Sequence, residues 1–324
     1  MFQVYDSINN QSIKNSNSGI DGFTNVLKTK WDNLHQETGI FRYQIDMLNE
    51  RIIDNQYLIQ LNPNRGTKRR MPDDISDVKQ PFDDNKFNFT KVSDREVMFT
   101  VMTDNDELNK HAILINVSPI NRYHSLLCPS IYKRLPQVVT LDSLMLALGM
   151  MQYIEDRSLK IGFNSLCALA SVNHLHYHLL FEHRMLPVLL AKSKLIKDPL
   201  YILEEYVVPT FCFNVHQNIE NAAQDIFKLL QFLLQKSIAH NILMTWGIVN
   251  GQDYIRVFVW PRKSCTGVKN FAAFNVAVCE LAGWFPVYDA LEFANIQRKD
   301  LEDELNKWKY EDFDELCNEV KSLF

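Results

Sequence analysis

The sequence predicts an α+β fold in which antiparallel sheets are flanked by helices. Short apolar segments rich in β-branched and aromatic residues recur between turn signals, which is typical of antiparallel strands. Two longer segments, residues 141–156 and 218–238, have apolar residues at helical spacing and predict helices. Groups of strands followed by a helix occur in both halves of the chain, and this order suggests two similar halves of one fold.

The first residues divide into a flexible segment and a helix. Residues 1–19 are polar and rich in Asn and Ser, a composition that favours flexibility. Phe23, Leu27 and Trp31 follow at helical spacing, so an amphipathic helix is predicted from Asp21 onward.

Most of the remaining chain alternates between predicted strands and polar connections. Residues 62–91 are polar and interrupted by proline, and a loop of that length in a compact chain is usually functional or disordered. The tail from about residue 271 is charged and is predicted to be mostly helical. The predicted strands are FRYQIDM, RIIDNQYLIQL, EVMFTVMT, HAILINV, YHSLLCP, SLKIGF, YILEEYVV, TFCFNV, ILMTWGIVN and YIRVFVWP.

Composition and charge argue against several classes of protein. The net charge of −5 gives no general attraction to nucleic acid, and a chain with 10 glycines contains neither GxGxxG nor a P-loop motif. The six cysteines form no CxxC pair, so a thiolate zinc site is not expected. The N-terminus has no apolar signal region and no apolar run reaches about 18 residues, so a cytoplasmic protein without a membrane partner is expected.

Three histidines alternate within one apolar stretch, SVNHLHYHLL, at residues 171–180. Side chains of a strand alternate between its two faces, so His174, His176 and His178 share one face if the segment is extended. The three apolar residues between and after them share the opposite face, which fits packing on a core. The pattern therefore predicts a row of imidazoles held by a buried strand.

Three imidazoles on one face are compatible with more than one kind of site. They could bind a metal such as zinc, or one could attack a phosphorus atom while its neighbours bind the phosphate oxygens. No carboxylate lies in the same segment, whereas Asn164, Ser171 and Asn173 supply neutral donors that suit phosphate. These neighbours favour the phosphorus chemistry. A structural role, with the histidines paired to backbone in a buried sheet, is the third interpretation.

The stretch HLHYHLL (174–180) resembles the histidine triad signature HφHφHφφ at every position when Tyr177 is counted as apolar. Further blocks, which span roughly residues 40–285, resemble the GDP-D-glucose phosphorylase family, relatives of the plant GDP-L-galactose phosphorylases. The blocks are FRYQIDM, LNPNRGTKRRMP, QPFDDNKFNFTKV, INVSPINRYHSLLCP, GFNSLCALASVNHLHYHLL with HRMLPV, and AAFNVAVCELAG.

The resemblance implies a histidine-triad-like catalytic region over residues 20–324. Its triad-bearing half is expected at about 40–200, its second half at about 200–290 and a helical tail at 290–324. Several proteins of the superfamily are dimers, but no segment of this sequence identifies an interface, so the oligomeric state is left undetermined.

The resemblance also implies a mechanism. His176 would attack the α-phosphorus of GDP-glucose, hexose 1-phosphate would leave, and inorganic phosphate would then release GDP. His174 and His178 would orient the site and bind the non-bridging oxygens, with Ser171 and Asn164 near the phosphate and leaving-group oxygens. A backbone carbonyl on one ring nitrogen of His176 would fix the required tautomer. No metal or other cofactor is required by this chemistry.

A basic cluster precedes the triad by about a hundred residues. Arg65, Lys68, Arg69 and Arg70 carry charge that suits a diphosphate, and a solvated basic loop is the alternative interpretation. Lys91, within FNFTK, is a further candidate for nucleotide binding.

Two positions depart from the family pattern. Tyr123 stands where the superfamily usually has glycine before histidine, and Leu179 is bulkier than its counterparts. A bulky residue in place of glycine could narrow the pocket or shift the backbone, while the adjacent His124 is predicted to be structural. A GDP-binding protein that has lost activity through these two changes is therefore one alternative to the phosphorylase. A nucleotide hydrolase of the same superfamily, with water as the second nucleophile, is the other.

Overall fold

The computed structural model describes residues 3–8, 11–13, 22–70, 73–104, 106–154, 156–266 and 273–324. Its strands are β1 (Gln3–Asp6), β2 (Ser12–Ile13), β3 (Asn49–Ile53), β4 (Tyr57–Leu61), β5 (Val97–Met102), β6 (His111–Ile115), β7 (Ser125–Cys128), β8 (Leu159–Asn164), β9 (Tyr177–Phe181), β10 (Ser193–Lys197), β11 (Leu200–Leu203), β12 (Phe211–Val215), β13 (Ala239–Val249), β14 (Gln252–Arg262) and β15 (Trp284–Val287). Its helices are α1 (Phe23–Gln36), α2 (Pro63–Lys68), α3 (Leu141–Ile154), α4 (Pro187–Leu190), α5 (Ile219–Gln235), α6 (Val278–Leu281), α7 (Ala290–Asn295), α8 (Arg298–Lys307) and α9 (Phe313–Val320).

Twelve strands form one sheet in the order β10-β11-β12-β14-β13-β8-β9-β7-β6-β5-β1-β2. Every neighbouring pair in this sheet is antiparallel. A second sheet has the order β15-β4-β3, with β15 parallel to β4. The predicted α+β fold with antiparallel sheets and flanking helices is confirmed.

The large sheet consists of two halves with the same topology. From its outer part to its centre, one half has the order β5-β6-β7-β9-β8 and the other has β10-β11-β12-β14-β13. In each half a long helix, α3 or α5, follows the third strand in the chain. The suggestion of two similar halves is therefore supported by the topology. The second half begins at Ser193, the first residue of β10, slightly before the predicted boundary at about residue 200, which is the first residue of β11.

Alternation along β8 and β9 separates the core from the opposite face. Leu175, Tyr177 and Leu179 join the largest apolar cluster, which also contains the buried faces of α1, α3 and α5. The alternating residues His176 and His178 lie on the other face, where they border a pocket. Leu179 is thus fully buried on the helix-covered side, so its bulk does not narrow the pocket.

Two apolar layers cover the opposite face of the sheet and leave a gap between them. One layer contains β15, β4, α6 and α8, and it packs on β13 and β14 through Leu243, Phe258 and Trp260. The other layer is built around Phe89, which packs with Leu114 of β6 and other residues of β6 and β7. The pocket lies between these layers, over β8 and β9.

Several local predictions are confirmed and others are wrong. The helices predicted from Asp21, over 141–156 and over 218–238 correspond to α1, α3 and α5. FRYQIDM alternates as predicted, because Phe41, Tyr43 and Ile45 are buried. It is nevertheless not a strand, since it lies against the 117–119 turn through single contacts rather than along a partner strand.

Other differences have local causes. RIIDNQYLIQL is a hairpin, β3–β4, because Asp54 and Asn55 both adopt positive φ and reverse the chain. The predicted loop 62–91 begins with α2, which Asn62 caps and Pro63 starts. The predicted helical tail contains β15, which pairs with β4. In the segment expected to be flexible, β1 pairs with β5 and β2, and residues 1–2, 9–10 and 14–19 lie outside the described part.

No helix in the described ranges is long and apolar enough to cross a membrane.

Tyr123 occupies a left-handed backbone position, with φ of 68°. Its ring packs edge-to-face on Trp31, with 5.6 Å between ring centroids, and lies 6.3 Å from Phe181. The ring therefore belongs to the helix-covered side of the sheet, and the expected narrowing of the pocket by Tyr123 is wrong. Aromatic packing accompanies a backbone conformation that favours glycine.

Replacing Tyr123 by alanine and by glycine separates the packing from the strain. Both variants lose the ring contacts, so both are expected to have a lower free energy of unfolding. Tyr123→Gly should be more stable than Tyr123→Ala by about 1 kcal/mol, since only glycine is unstrained at this φ. Urea unfolding followed by circular dichroism measures the difference. At the control position Tyr254, within β14, the alanine variant should instead be more stable than the glycine variant. Equal stabilities of the two Tyr123 variants would contradict backbone strain at Tyr123.

Candidate active site

Gln137, which lies outside the described lining of the pocket, holds the backbone of His176. Its Oε1 accepts the His176 N–H at 2.9 Å, and its Nε2 donates to the His176 carbonyl at 3.1 Å and to the Asn164 carbonyl at 2.9 Å. Asn173 in turn accepts the Gln137 N–H at 2.9 Å. This clamp fixes the chain on which the imidazole is carried. Asn173 therefore has a structural part in the site rather than the phosphate contact expected of it.

The tautomer of His176 is set by a backbone carbonyl. Nδ1 of His176 lies 2.7 Å from the His174 carbonyl oxygen. A carbonyl oxygen only accepts, so Nδ1 carries the ring proton and the lone pair of the neutral ring is on Nε2. This is the carbonyl contact predicted from the sequence, and it produces the form of imidazole that can act as a nucleophile.

His124 and His178 form a chain of hydrogen bonds whose direction follows from one backbone group. The Ile120 N–H donates to Nδ1 of His124 at 2.9 Å. Burial lowers the pKa of His124 well below its usual value, so the ring is neutral and its proton is on Nε2. Nε2 of His124 lies 3.0 Å from Nδ1 of His178 and donates to it. His178 in its neutral form therefore carries its own proton on Nε2.

Asn164 places a second donor beside this proton. Its Oδ1 accepts from Nδ2 of Asn241 at 2.6 Å and from the N–H of Val278 at 3.1 Å. The amide is thereby oriented so that Nδ2 lies 3.4 Å from Nε2 of His178. Two N–H groups cannot bond each other, but together they suit one oxygen acceptor with negative charge.

His174 has a different place from the one expected. Its ring lies 5.3 Å from the ring of Phe82 and 5.6 Å from that of Phe89, and it is not among the described residues that line the pocket. Nδ1 accepts the Phe89 N–H at 3.0 Å, and burial lowers the pKa of His174 to about 4. The expected contact with phosphate oxygens is therefore not supported: His174 positions Phe89 and supplies the carbonyl that holds His176.

The pocket has one apolar and one polar wall. The apolar wall comes from β6, β7, the segment around residue 89 and the segment before the triad, and its members are Phe87, Phe89, Val92, Leu114, Leu126 and Val172. The polar wall comes from α2, α6 and the chain around β15, and its polar members are Arg65, Arg69, Asn275, Glu280 and Tyr288. His176, His178, Asn164 and Ser171 lie between the walls.

The basic cluster is divided by the structure. Arg65, Arg69 and Arg70, which were predicted to bind the nucleotide, all line the pocket. Lys68 is exposed and does not belong to the described lining. Lys91 is also outside it, because its Nζ donates to the carbonyls of Lys86, at 2.7 Å, and of Asp84. Proximity in the sequence therefore overestimated the number of basic residues that line the pocket.

Three residues of the site were not predicted for it. Gln137 and Asn241 could not be identified from the sequence, because their contacts form only after the sheet has assembled. Gln137 then contacts Asn164 and His176, and Asn241 contacts Asn164. His124 was expected to be structural, yet it bonds directly to His178. The available sequence signal was its position directly after Tyr123, where the histidine triad pattern usually has glycine followed by histidine. Among the residues that the structure describes, no group of three or more His, Cys, Asp or Glu could hold a metal ion.

Comparisons with known proteins agree on one family. A model described as GDPGP1-like, N-terminal domain, matches residues 22–180, and GDPGP1-like, C-terminal domain, matches residues 192–324. GDP-D-glucose phosphorylase 1 of Danio rerio is 34% identical, with 90% of this chain and 88% of the relative aligned. The protein of that name from Homo sapiens is 36% identical, with 80% and 72% aligned.

The solved structures show a shared fold. Yeast Ap4A phosphorylase Apa2 in complex with Ap4A superposes with a TM-score of 0.63 at 15% sequence identity. The superposition covers 88% of this chain and 97% of that chain. Both halves of the large sheet therefore have counterparts in a protein of low sequence similarity.

Four buried histidines are expected to make stability depend on pH. Burial lowers the pKa of His111, His174 and His240 to about 4, and that of His124 well below the usual 6.5. Below pH 6.5 the unfolded chain therefore binds protons that the folded protein does not. The free energy of unfolding should fall as the pH decreases from about 6.5 to 4, by up to about 1.4 kcal/mol per pH unit for each histidine.

Urea unfolding at pH 7 and pH 5 measures this dependence. His240→Gln removes one of the four groups and should reduce the loss between the two pH values. His216→Gln, at an exposed position, should leave the loss as in the unmodified protein. An unchanged loss in His240→Gln would contradict the assigned protonation.

Proposed function

Because the chain belongs to the GDPGP1-like family, we propose that it catalyses the phosphorolysis of GDP-glucose to GDP and glucose 1-phosphate. Relatives named GDP-D-glucose phosphorylase 1 align with it over most of both chains. The observation that carries the proposal is the tautomer of His176, whose lone pair is on Nε2 in a pocket whose polar wall contains Arg65 and Arg69. The enzyme is thus a guanylyltransferase with inorganic phosphate as acceptor.

In the first step, Nε2 of His176 attacks the α-phosphorus of GDP-glucose. The bond from the α-phosphorus to the bridging oxygen breaks, and glucose 1-phosphate leaves with its electron pair. The Nδ1 proton stays on the ring beside the His174 carbonyl, so the guanylylated ring carries a positive charge. A cationic imidazole is a good leaving group, which prepares the intermediate for the second displacement.

In the second step, an oxygen of inorganic phosphate attacks the same phosphorus. The bond from phosphorus to Nε2 breaks, its electron pair returns to the ring, and GDP is formed. His176 recovers its starting tautomer because the Nδ1 proton has not moved. Two displacements thereby replace one direct transfer between two anions.

The donors beside His176 stabilise the charge of the transferred group. In this proposal Nε2–H of His178 and Nδ2 of Asn164, which lie 3.4 Å apart, bind the non-bridging oxygens of the α-phosphate, and each such donor could contribute about 3 kcal/mol in the transition state. Ser171 also lines the pocket. Arg65 and Arg69 supply positive charge on the polar wall for the second phosphate and for the incoming one.

Dependence on phosphate tests the reaction. The protein is incubated with GDP-glucose with and without inorganic phosphate, and GDP, GMP and glucose 1-phosphate are measured. Both GDP and glucose 1-phosphate should form only with phosphate. His176→Asn should abolish turnover, whereas His240→Asn, at a buried position outside the described lining of this pocket, should retain it.

Two other outcomes would replace the proposal. GMP formed equally well without phosphate would identify a hydrolase that uses water as the second nucleophile. GDP binding without turnover of GDP-glucose would identify a protein that has kept the fold and lost the chemistry.

The hydrogen bond from His124 to His178 leads to a further prediction. His124→Phe removes the group that directs the His178 proton toward the pocket, so kcat should fall by about 10- to 100-fold with a smaller change in KM. His111→Phe is the matched control, because Nδ1 of His111 also accepts a backbone N–H at 2.9 Å, from Ser130, outside the described pocket lining. Equal losses of kcat in the two variants would show that His124 acts only through stability.

A further inference from the structure

Two residues of opposite charge lie on the otherwise apolar side of the pocket. The apolar wall lies beside the triad, since the ring of Phe89 is 5.0 Å from that of His176. Arg70 and Glu96 line the pocket together with this wall. The phosphorylase reaction described above uses neither residue, so their presence there has another explanation.

The two walls suit the two ends of a GDP-sugar differently. A purine has flat faces that stack on aromatic and apolar side chains, and its hydrogen-bonding groups are confined to its edge. A hexose has hydroxyl groups on all sides and requires polar partners. The polar wall contains such a partner in Asn275, whose buried Nδ2 has no hydrogen-bond partner in the structure as described. The base therefore fits the apolar wall and the hexose the polar wall.

Glu96 is held in place with acceptor capacity remaining. Its Oε1 accepts the Ser93 N–H at 3.1 Å in a capping box at the start of the 3₁₀ turn before β5. Within the described ranges, Oε2 has no hydrogen-bond partner. A carboxylate that is fixed through one oxygen presents the other, together with spare lone pairs, to the pocket.

Arg70 is the matching donor. Its guanidinium carbon lies 3.2 Å from the centroid of the Phe87 ring, so the charged group is stacked on the apolar wall. Arg70 and Glu96 form no ion pair in the described part of the chain. Burial and the charge of Arg42 lower the pKa of Arg70, and the charge of Glu96 acts in the opposite direction. A carboxylate and a guanidinium thus lie near each other while both keep bonding capacity.

We propose that Glu96 selects guanine by accepting hydrogen bonds from N1–H and the 2-amino group, while Arg70 donates to O6. Guanine presents two donors and one acceptor on this edge, which complement a carboxylate next to a guanidinium. Adenine presents the reverse pattern, with an acceptor at N1 and a donor at N6, so its N1 would oppose the carboxylate. The inference rests on the proposed function for the presence of a guanine nucleotide.

Glu96→Gln tests the selection with little effect on local structure. Glutamine also fits the capping box with Ser93, but its amide group presents N–H donors to the donors of guanine. The dissociation constants of GDP, IDP and ADP are measured by calorimetry, and kcat/KM is measured with GDP-glucose and ADP-glucose. The preference for GDP over ADP should fall by about 10-fold or more. IDP, which lacks the 2-amino group, should lose less affinity than GDP.

Two further variants decide where the base is recognised. Asp300→Asn changes another capping carboxylate, at the start of α8 and outside the described lining of the pocket, and should leave all ratios unchanged. Glu280→Gln changes the carboxylate of the polar wall, which accepts the Ala277 N–H at 2.9 Å, and should also leave the GDP-to-ADP ratio unchanged. An unchanged ratio in Glu96→Gln, or a ratio that falls only in Glu280→Gln, would overturn the proposal.

Binding and turnover assays distinguish base selection by Glu96 from the phosphorylase reaction. If GDP-glucose is not turned over but Glu96→Gln lowers the GDP-to-ADP binding ratio, base selection stands and the phosphorylase reaction fails. If GDP-glucose is turned over and the ratio is the same in both proteins, the reaction stands and selection by Glu96 fails.

Discussion

The candidate site depends on the pairing of β9 between β7 and β8. In this register His178 lies opposite Leu126 on one neighbouring strand and opposite Gly162 on the other. The apolar residues that alternate with the histidines are buried against the helices, and each such burial stabilises the fold by roughly 1.5–3 kcal/mol. A slip by one residue would bury His178 among the helices and expose Leu179. The free energy that fixes the strand therefore also orients the imidazoles.

The two halves of the sheet have the same topology but different structural roles. In the second half of the sheet, β14 occupies the position that β9 occupies in the first half. On the face opposite the helices, β14 carries Phe258 and Trp260, whereas β9 carries His178 and Leu180. These aromatic residues anchor the small sheet and α6, and α6 then forms one wall of the pocket. Its close approach requires Gly162, since a Cβ there would lie 2.9 Å from a methyl carbon of Val278. One half carries the histidines, and the other shapes the space above them.

Backbone groups, rather than carboxylates, set the protonation of the histidines. The carbonyl of His174 accepts from His176, and the N–H of Ile120 determines the proton position of His124 and thereby of His178. Burial disfavours the charged form of His124, so the chain of bonds between neutral rings has one direction. For attack on a diphosphate, a neutral nucleophile with a defined lone pair is better suited than a cation. The pocket thus controls charge through burial and peptide groups.

The sequence by itself determined the periodic features of this protein. Alternation placed Leu175, Tyr177 and Leu179 on the core side of the triad, and the 3.6-residue period identified α1, α3 and α5. Such patterns are local, because each depends on residues a few positions apart. A backbone carbonyl on one ring nitrogen of His176 was expected from the mechanism that the family resemblance implied, and the structure identifies it as the carbonyl of His174.

Tertiary structure alone decided which groups meet across the sheet. Asn241 reaches Asn164 because β13 pairs with β8, and Gln137 reaches His176 from a segment that no sequence pattern connects to the triad. The cover of Phe82 and Phe89 over His174 likewise depends on where a long connection returns to the sheet. Strand order and loop paths depend on the packing of elements that are distant in the sequence. Local sequence periodicity carries no information about that packing.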